Sequence, residues 1–201
     1  MIYLVRHGQT VWNSIGRLQG QKDSPLTARG VAQAGAMGSL LAETLRRENA
    51  APPKIVSSPL GRAWQTAAIV ADRLGVDPAA ITLEPRIAEI SFGDWESRSE
   101  AQLAELFPET WAARQADKWN YVTPGGESYA LVATRLKSWM AELEDGAPLV
   151  AVSHGLAGRI LRGLYLKATP EEVFAMDEPQ DGFFRLAQGV VTRFDVETED
   201  A

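Results

Sequence analysis

The apolar positions of this chain fall into short dense runs, separated by longer stretches in which apolar residues return every three or four places. Residues 2–5, 55–56 and 149–152 are runs of the first kind, rich in Val and Ile. Each is too short for a helix and reads as a buried strand. A pattern of the second kind opens at Leu26-Thr27, where Val31, Ala34, Leu41 and Leu45 recur at helical spacing until Pro52-Pro53 stops it. After the second strand, Ser58 offers an N-cap and Pro59 suits a first helical position. The helix expected from Leu60 turns Trp64, Ala67, Ala68, Ala71 and Leu74 inward and ends near Gly75.

Farther along, residues 81–83 read as a weak strand and 85–97 as a loop without a clear period. Residues 101–119 are helical in pattern with an interruption at Pro108, and Pro124-Gly125-Gly126 is a break. A helix over 127–143, the strand at 149–152 and a helix over 155–166 follow. Two antiparallel strands, near 183–186 and 190–196, flank Gln188-Gly189. Strands alternating with helices predict an α/β three-layer sandwich, a mostly parallel central sheet flanked by helices. The strands ending at Val5, Val56 and Val152 are expected to be neighbours. With no repeat, low-complexity tract or Gly/Ser linker, the 201 residues read as a single domain.

Composition narrows the chemistry. There is no cysteine, which excludes disulfides, thiolate nucleophiles, zinc–thiolate sites and iron–sulfur clusters. A formal net charge of −6 disfavours nucleic acid as a partner. No apolar run approaches the roughly 18 residues of a membrane span, so no membrane partner is expected. The N-terminal run meets Arg6-His7 too soon for a signal peptide, and the expectation is a cytoplasmic protein.

The chain holds two histidines, His7 and His154. Each follows an apolar strand and precedes a glycine. Ligands of open α/β sheets bind beyond the carboxyl ends of the strands, so both imidazoles can face one pocket. The glycines let backbone approach a ligand closely. A third strand end supplies Arg62 in the first turn of a helix whose N-terminus favours anions. With Arg6 beside His7 and Asn13 as a neutral donor, the set suits a phosphoryl group with its spread negative charge.

Arg6-His7-Gly8-Gln9-Thr10-Val11-Trp12-Asn13 resembles the signature of the histidine phosphatase superfamily, also called the phosphoglycerate mutase-like family. Later segments agree in order: Leu26-Thr27-Ala28-Arg29-Gly30, the arginine motif from Ser57 to Ala67, Arg86-Ile87-Ala88-Glu89 with Phe92-Gly93-Asp94-Trp95-Glu96, Pro124-Gly125-Gly126-Glu127-Ser128, and Ser153-His154-Gly155. The resemblance implies the three-layer fold and a metal-independent phosphomonoester hydrolase with no cofactor, acting on a small phosphorylated metabolite through a phosphohistidine. It casts His7 as nucleophile and Glu89 as proton donor. Arg6, Arg62 and His154 would hold the phosphoryl oxygens, with help from Asn13. Gln19 and Lys22 are candidate substrate contacts. Residues 97–129 form a candidate specificity segment, with Trp111, Arg114, Lys118, Trp119 and Tyr121 as wall residues. Glu96 and Glu127 read better as structural carboxylates.

Two departures stand out. Ser97 follows the Trp-Glu pair where the family often has glycine, and the chain lacks the longer insertion of the mutase branch after the acid loop. The second favours hydrolysis, because a mutase must retain its intermediate and exclude water. A cofactor-dependent phosphoglycerate mutase and a non-catalytic phospho-ligand module are the alternatives. The sequence is neutral on oligomeric state.

Overall fold

Every residue from Ile2 to Val5 is buried, yet the four side chains divide between two cores. Ile2 and Leu4 join a cluster with Ile87, Leu103, Leu136, Ala151 and Ile160. Tyr3 and Val5 join another with Met37, Leu41, Ile55, Ala67, Val150, Val152 and Phe183. A strand feeding two cores has helices on both faces, which explains a continuous apolar run instead of an alternating one.

In the computed structural model, which describes residues 1–144 and 147–196, the chain runs β1 (Ile2–Arg6), α1 (Val11–Ser14), α2 (Ala28–Arg47), β2 (Lys54–Ser57), α3 (Gly61–Leu74) and β3 (Thr82–Leu83). It continues with α4 (Glu100–Leu106), α5 (Pro108–Ala116), α6 (Tyr129–Ala141), β4 (Leu149–Ser153), α7 (Gly155–Leu166), α8 (Pro170–Ala175), β5 (Gly182–Ala187) and β6 (Val190–Asp195). The six-stranded sheet has the order β3-β2-β4-β1-β5-β6. β3, β2, β4 and β1 are parallel; β5 and β6 add an antiparallel edge. The strands ending at Val5, Val56 and Val152 are therefore neighbours, with β4 in the middle.

Two local expectations are corrected. Trp64 is 44% exposed and Val31 48% exposed. The buried stripe of α3 is Arg62, Ala63, Thr66, Ala67, Val70 and Ala71. Turning Arg62 toward the strand ends rotates Trp64 outward, and small residues let α3 lie close to α2. The start of α3 also differs: Leu60 is the N-cap and Pro59 precedes the helix. Ser58 is drawn away instead, its hydroxyl 2.7 Å from His154 Nε2. The segment over 101–119 breaks as expected at Pro108, which opens α5. Helices α1 and α8 were not legible; each is under two turns.

The departure at Ser97 has a backbone counterpart, since its φ is 74°, in the left-handed region that favours glycine. The loop after His7 is packed backbone to backbone against the start of α2. Thr27 N–H donates to Gln9 O at 2.9 Å, and a Cβ on Gly30 would lie 2.0 Å from that carbonyl oxygen. Gly30→Ala should therefore destabilise the fold by about 1–3 kcal/mol, read as a lower urea midpoint at unchanged slope.

Candidate active site

The parallel register places Val5 beside Val152 and Arg6 beside Ser153, while Ser57 flanks Val152 on the other side. Two further hydrogen bonds continue the ladder: His7 N–H to Ser153 O at 3.1 Å and Ser58 N–H to Val152 O at 2.9 Å. His7 and His154 thus leave adjacent strands at the same level, with ring centroids 5.1 Å apart at an interplanar angle of 62°.

The tautomer of His7 follows from its neighbours. Nδ1 lies 2.8 Å from its partner Gly8 O, and a carbonyl only accepts, so Nδ1 carries the proton. Arg62 Nε–H then donates to Nε2 at 3.2 Å, which requires a lone pair there. Burial first, then the Arg62 and Arg6 guanidiniums, push the imidazole well below its ordinary range; the bond to Gly8 O opposes them. The result is a neutral imidazole whose Nε2 faces positive charge.

Arg62 is 1% exposed and held along its length. Its guanidinium donates to Gly20 O at 2.7 Å, Lys22 O at 2.8 Å and Asp23 Oδ1 at 3.0 Å. Glu96 fixes that 20–23 loop. Buried itself, it accepts from the backbone N–H groups of Gln21 at 2.9 Å, Lys22 at 3.3 Å and Phe92 at 3.1 Å. Gly20 has a φ of 57°, and a Cβ there would strike the Glu96 carboxylate, so the clamp needs glycine at this point.

Glu89 lies across the cavity, its carboxylate at the start of α7. It accepts from the N–H groups of Ala157 at 3.0 Å, Leu156 at 3.3 Å and Ile90 at 3.0 Å. Burial and then the Glu178 charge raise its pKa, against Arg62 and the Ile90 and Ala157 N–H donors. Arg135 holds the loop from below, donating to the carbonyls of Arg86 at 2.6 Å, Ala88 at 2.8 Å and Glu89 at 3.1 Å while paired with Glu127 at 2.9 Å. Glu127 and Glu96 both serve as scaffolding.

These groups converge on a cavity of about 290 Å³, lined by Arg6, His7, Asn13, Gln19, Arg62 and Glu89 among others. Asn13 Oδ1 accepts from Thr10 N–H at 3.1 Å and Gln180 Nε2 at 3.1 Å, which leaves its amide nitrogen as the free donor. Gln19 is buried at the wall. Lys22 is not brought in: its ammonium reaches Ser97 Oγ at 3.4 Å, and its contribution is the carbonyl beneath Arg62. His154 stands behind His7, facing a smaller crevice with Arg6, its Nε2 on Ser58 and its Nδ1 buried without a partner. Burial, Arg62 and His7 push it, like His7, well below the ordinary range. Of the candidate wall residues, Arg114 and Lys118 line the cavity. Trp111 and Tyr121 pack on Trp95, and Trp119 on Tyr129 and Phe174.

The sequence reading missed Arg17, Glu100, Arg159 and Glu178, which line the cavity, and Gln180, which reaches the site above His7. Arg159 Nε lies 3.1 Å from Glu178 Oε1, Arg6 donates to Glu178 O, and Gln180 Nε2 donates to His7 O at 3.3 Å. Arg159 was findable, because it follows Gly155 by four places on one helix face. Glu178 and Gln180 were not, since only the return of the chain into β5 beside β1 carries them over the site. Among the described residues, no group of three or more His, Cys, Asp or Glu side chains could hold a metal ion.

Comparison with known proteins agrees with this geometry. The family model of the histidine phosphatase superfamily (branch 1) matches residues 2–182. A relative from Salmonella paratyphi C (strain RKS4594), named "Probable phosphoglycerate mutase GpmB", is 39% identical over 160 residues, covering 78% of this chain and 70% of its own. The structure of a mycobacterial glucosyl-3-phosphoglycerate phosphatase superposes with a TM-score of 0.76 at 30% identity, covering 92% of this chain and 90% of that one. The alpha-ribazole phosphatase of Shigella flexneri shares the fold with a TM-score of 0.81 at 24% identity, covering 98% and 96%. No described helix is long and apolar enough to cross a membrane. With the family model spanning β1 to the start of β5, and both histidines on adjacent strand ends, this chain belongs to the histidine phosphatase superfamily.

Proposed function

We propose that this chain is a phosphomonoester hydrolase acting on a small phosphorylated metabolite through phosphorylated His7, as a single catalytic domain in which residues 97–129 govern specificity. The observation that carries the reading is the forced tautomer of His7, which presents a neutral Nε2 to the Arg62 guanidinium in a cavity that also holds a carboxyl whose pKa burial and Glu178 raise. His7 Nε2 attacks phosphorus as the P–O ester bond breaks. Arg62 Nε–H passes from the ring nitrogen to a phosphoryl oxygen, and Arg6 and the Asn13 amide meet the others. His154 adds a buried ring beside the nucleophile, held by Ser58. Glu89 gives its proton to the departing alkoxide, then takes one from the water that breaks the P–N bond. Inorganic phosphate leaves and Nε2 regains its lone pair, with Nδ1–H on Gly8 O throughout. The arginines and the α7 N-terminus supply the positive charge.

A second reading, phosphoglycerate mutase, is favoured by the name of the 39% identical relative. Against it stands the short wall over 97–129, whose helices α4 and α5 hold 7 and 9 residues. The product separates the two: hydrolysis releases inorganic phosphate, and a mutase returns an isomeric ester. We expect stoichiometric phosphate release that survives EDTA; a loss on chelation restored by a divalent ion contradicts the reading.

The roles of His7 and Glu89 set the pH dependence. His7 acts when neutral, and its pKa is depressed, so activity should persist well below pH 6.5 and fail only as pH drops through that lowered value. Glu89 acts first as an acid, and its pKa is raised, so turnover of alkyl phosphates should fall as pH rises through it. Glu89→Gln should abolish that alkaline limb. Single-turnover rates on an alkyl phosphate should drop about 10²–10⁴-fold, with a much smaller loss on nitrophenyl phosphate, whose leaving group needs little protonation. Equal losses on the two substrates would make Glu89 a structural carboxylate.

A further inference from the structure

The carbonyl of Gly8 accepts the Nδ1 proton of His7, so whatever fixes that carbonyl fixes the ring. A trans peptide points its C=O and its N–H in opposite directions. The N–H opposite the Gly8 carbonyl is that of Gln9, on the side away from His7. It donates to Gln33 Oε1 at 2.9 Å. Gln33 is only 3% exposed, a polar side chain on the buried face of α2 that also carries Ala34, Met37 and Leu41. Only an acceptor can meet a backbone N–H, which settles which amide atom of Gln33 points there.

The preceding peptide is held from the neighbouring helix. Gly8 N–H donates to Thr66 Oγ1 at 3.1 Å, and the hydroxyl donates its own proton to Arg62 O at 2.9 Å. Thr66 is fully buried in α3. Two successive backbone N–H groups beside the nucleophile thus end on buried side-chain oxygens, one from α2 and one from α3. Backbone fills the space around them: a Cβ on Gly8 would lie 2.1 Å from Gly30 O, and one on Gly30 2.8 Å from Gln9 N. Neither Gln33 nor Thr66 lines the cavity, so neither touches a substrate there.

We propose that Gln33 and Thr66 are positioning residues for phosphoryl transfer: they fix the Gly8–Gln9 backbone so that its carbonyl keeps the His7 ring turned with Nε2 into the cavity. The hydrogen bonds from Gln9 N–H to Gln33 and from His7 Nδ1–H to Gly8 O share one conjugated amide. Each therefore polarises the other, which leaves more electron density at Nε2. Thr66 ties the same loop to the turn that carries Arg62, whose Nε–H meets Nε2, so nucleophile and guanidinium keep their spacing. The inference rests on the assignment of His7 as nucleophile and deepens it.

Magnetic resonance of the full chain, with histidine isotopically labelled at its ring nitrogens, reads the Nδ1–H bond directly. The chain has two histidines, and His154 Nδ1 has no partner. The Nδ1–H resonance that disappears in His7→Ala is that of His7. Gln33→Met keeps the length of the side chain and removes the acceptor. It should move that resonance upfield and lower the single-turnover rate at saturating nitrophenyl phosphate about 10–100-fold, the range for groups that orient a histidine ligand, with half-saturation little changed. Gln33→Glu keeps an acceptor oxygen and should hold the resonance downfield and restore most of the rate. Thr66→Val should act as Gln33→Met does, and Thr66→Ser, which keeps the hydroxyl, should do neither; this second pair gives the answer if Gln33→Met does not fold. Thr44→Val is the control. It removes a buried hydrogen bond about three turns farther along α2, from Thr44 Oγ1 to Leu40 O at 2.8 Å, and should lower the urea midpoint while leaving the rate unchanged. An unmoved Nδ1–H resonance, or rate losses no larger than that of Thr44→Val, would overturn the proposal. Absence of phosphorylated His7 in the unaltered chain would instead count against the nucleophile assignment, since the resonance is measured without turnover.

Discussion

The site depends on the parallel pairing of β4 with β1 on one side and β2 on the other. That register brings three strand ends to one level: Arg6-His7 from β1, Ser57-Ser58 from β2 and Ser153-His154 from β4. A slip of one residue would turn the side chains of a strand to its other face. Both faces of this sheet are buried, so such a slip would exchange the two cores as well as misplace a histidine. The packing that makes the fold and the geometry that makes the site are thus enforced by the same ladder.

Electrostatics follow from that convergence. Two guanidiniums and two imidazoles lie within a few side chains of one another in a chain whose net charge is −6. Both imidazoles stay neutral because burial and the arginines oppose a further positive charge. The carboxyl opposite behaves inversely: burial and Glu178 favour its protonated form. One low-dielectric pocket thereby favours a neutral imidazole and a protonated carboxyl together, the pairing that the proposed nucleophile and acid require. The backbone supplies much of the rest. Gly8 O sets the His7 tautomer, the Gly20 and Lys22 carbonyls hold Arg62, and the first N–H groups of α7 hold Glu89.

Much of this was legible in the sequence. The runs at 2–5, 55–56 and 149–152 gave the central strands, and a glycine after each histidine marked the strand-to-helix junctions. Arg62 was placed correctly because its spacing from the strand end is local. Errors came where tertiary demands override local preference. Ser58 and Pro59 read as a helix start, but the serine hydroxyl is claimed by His154, ninety-six residues away. Trp64 read as core with Ala67, Ala68, Ala71 and Leu74 on the inward face of the helix, but the rotation of α3 is dictated by Arg62. The acid loop shows no period since it is held by Arg135 and Glu96 through backbone groups, which leave no trace in the pattern of side chains. Glu178 and Gln180 reach the site only through long-range strand pairing.

The central claim is that His7 carries the phosphoryl group between ester and water. Rapid mixing of the unaltered chain with nitrophenyl phosphate, followed by quenching under alkaline conditions that preserve phosphohistidine, tests it most directly. Peptide mass spectrometry of the quenched protein should place one phosphoryl group on the peptide containing His7, at the nitrogen away from Gly8, appearing with the nitrophenol burst and decaying at the rate of phosphate release. A phosphoryl group on His154, or steady turnover with neither burst nor any phosphorylated peptide, would contradict the account.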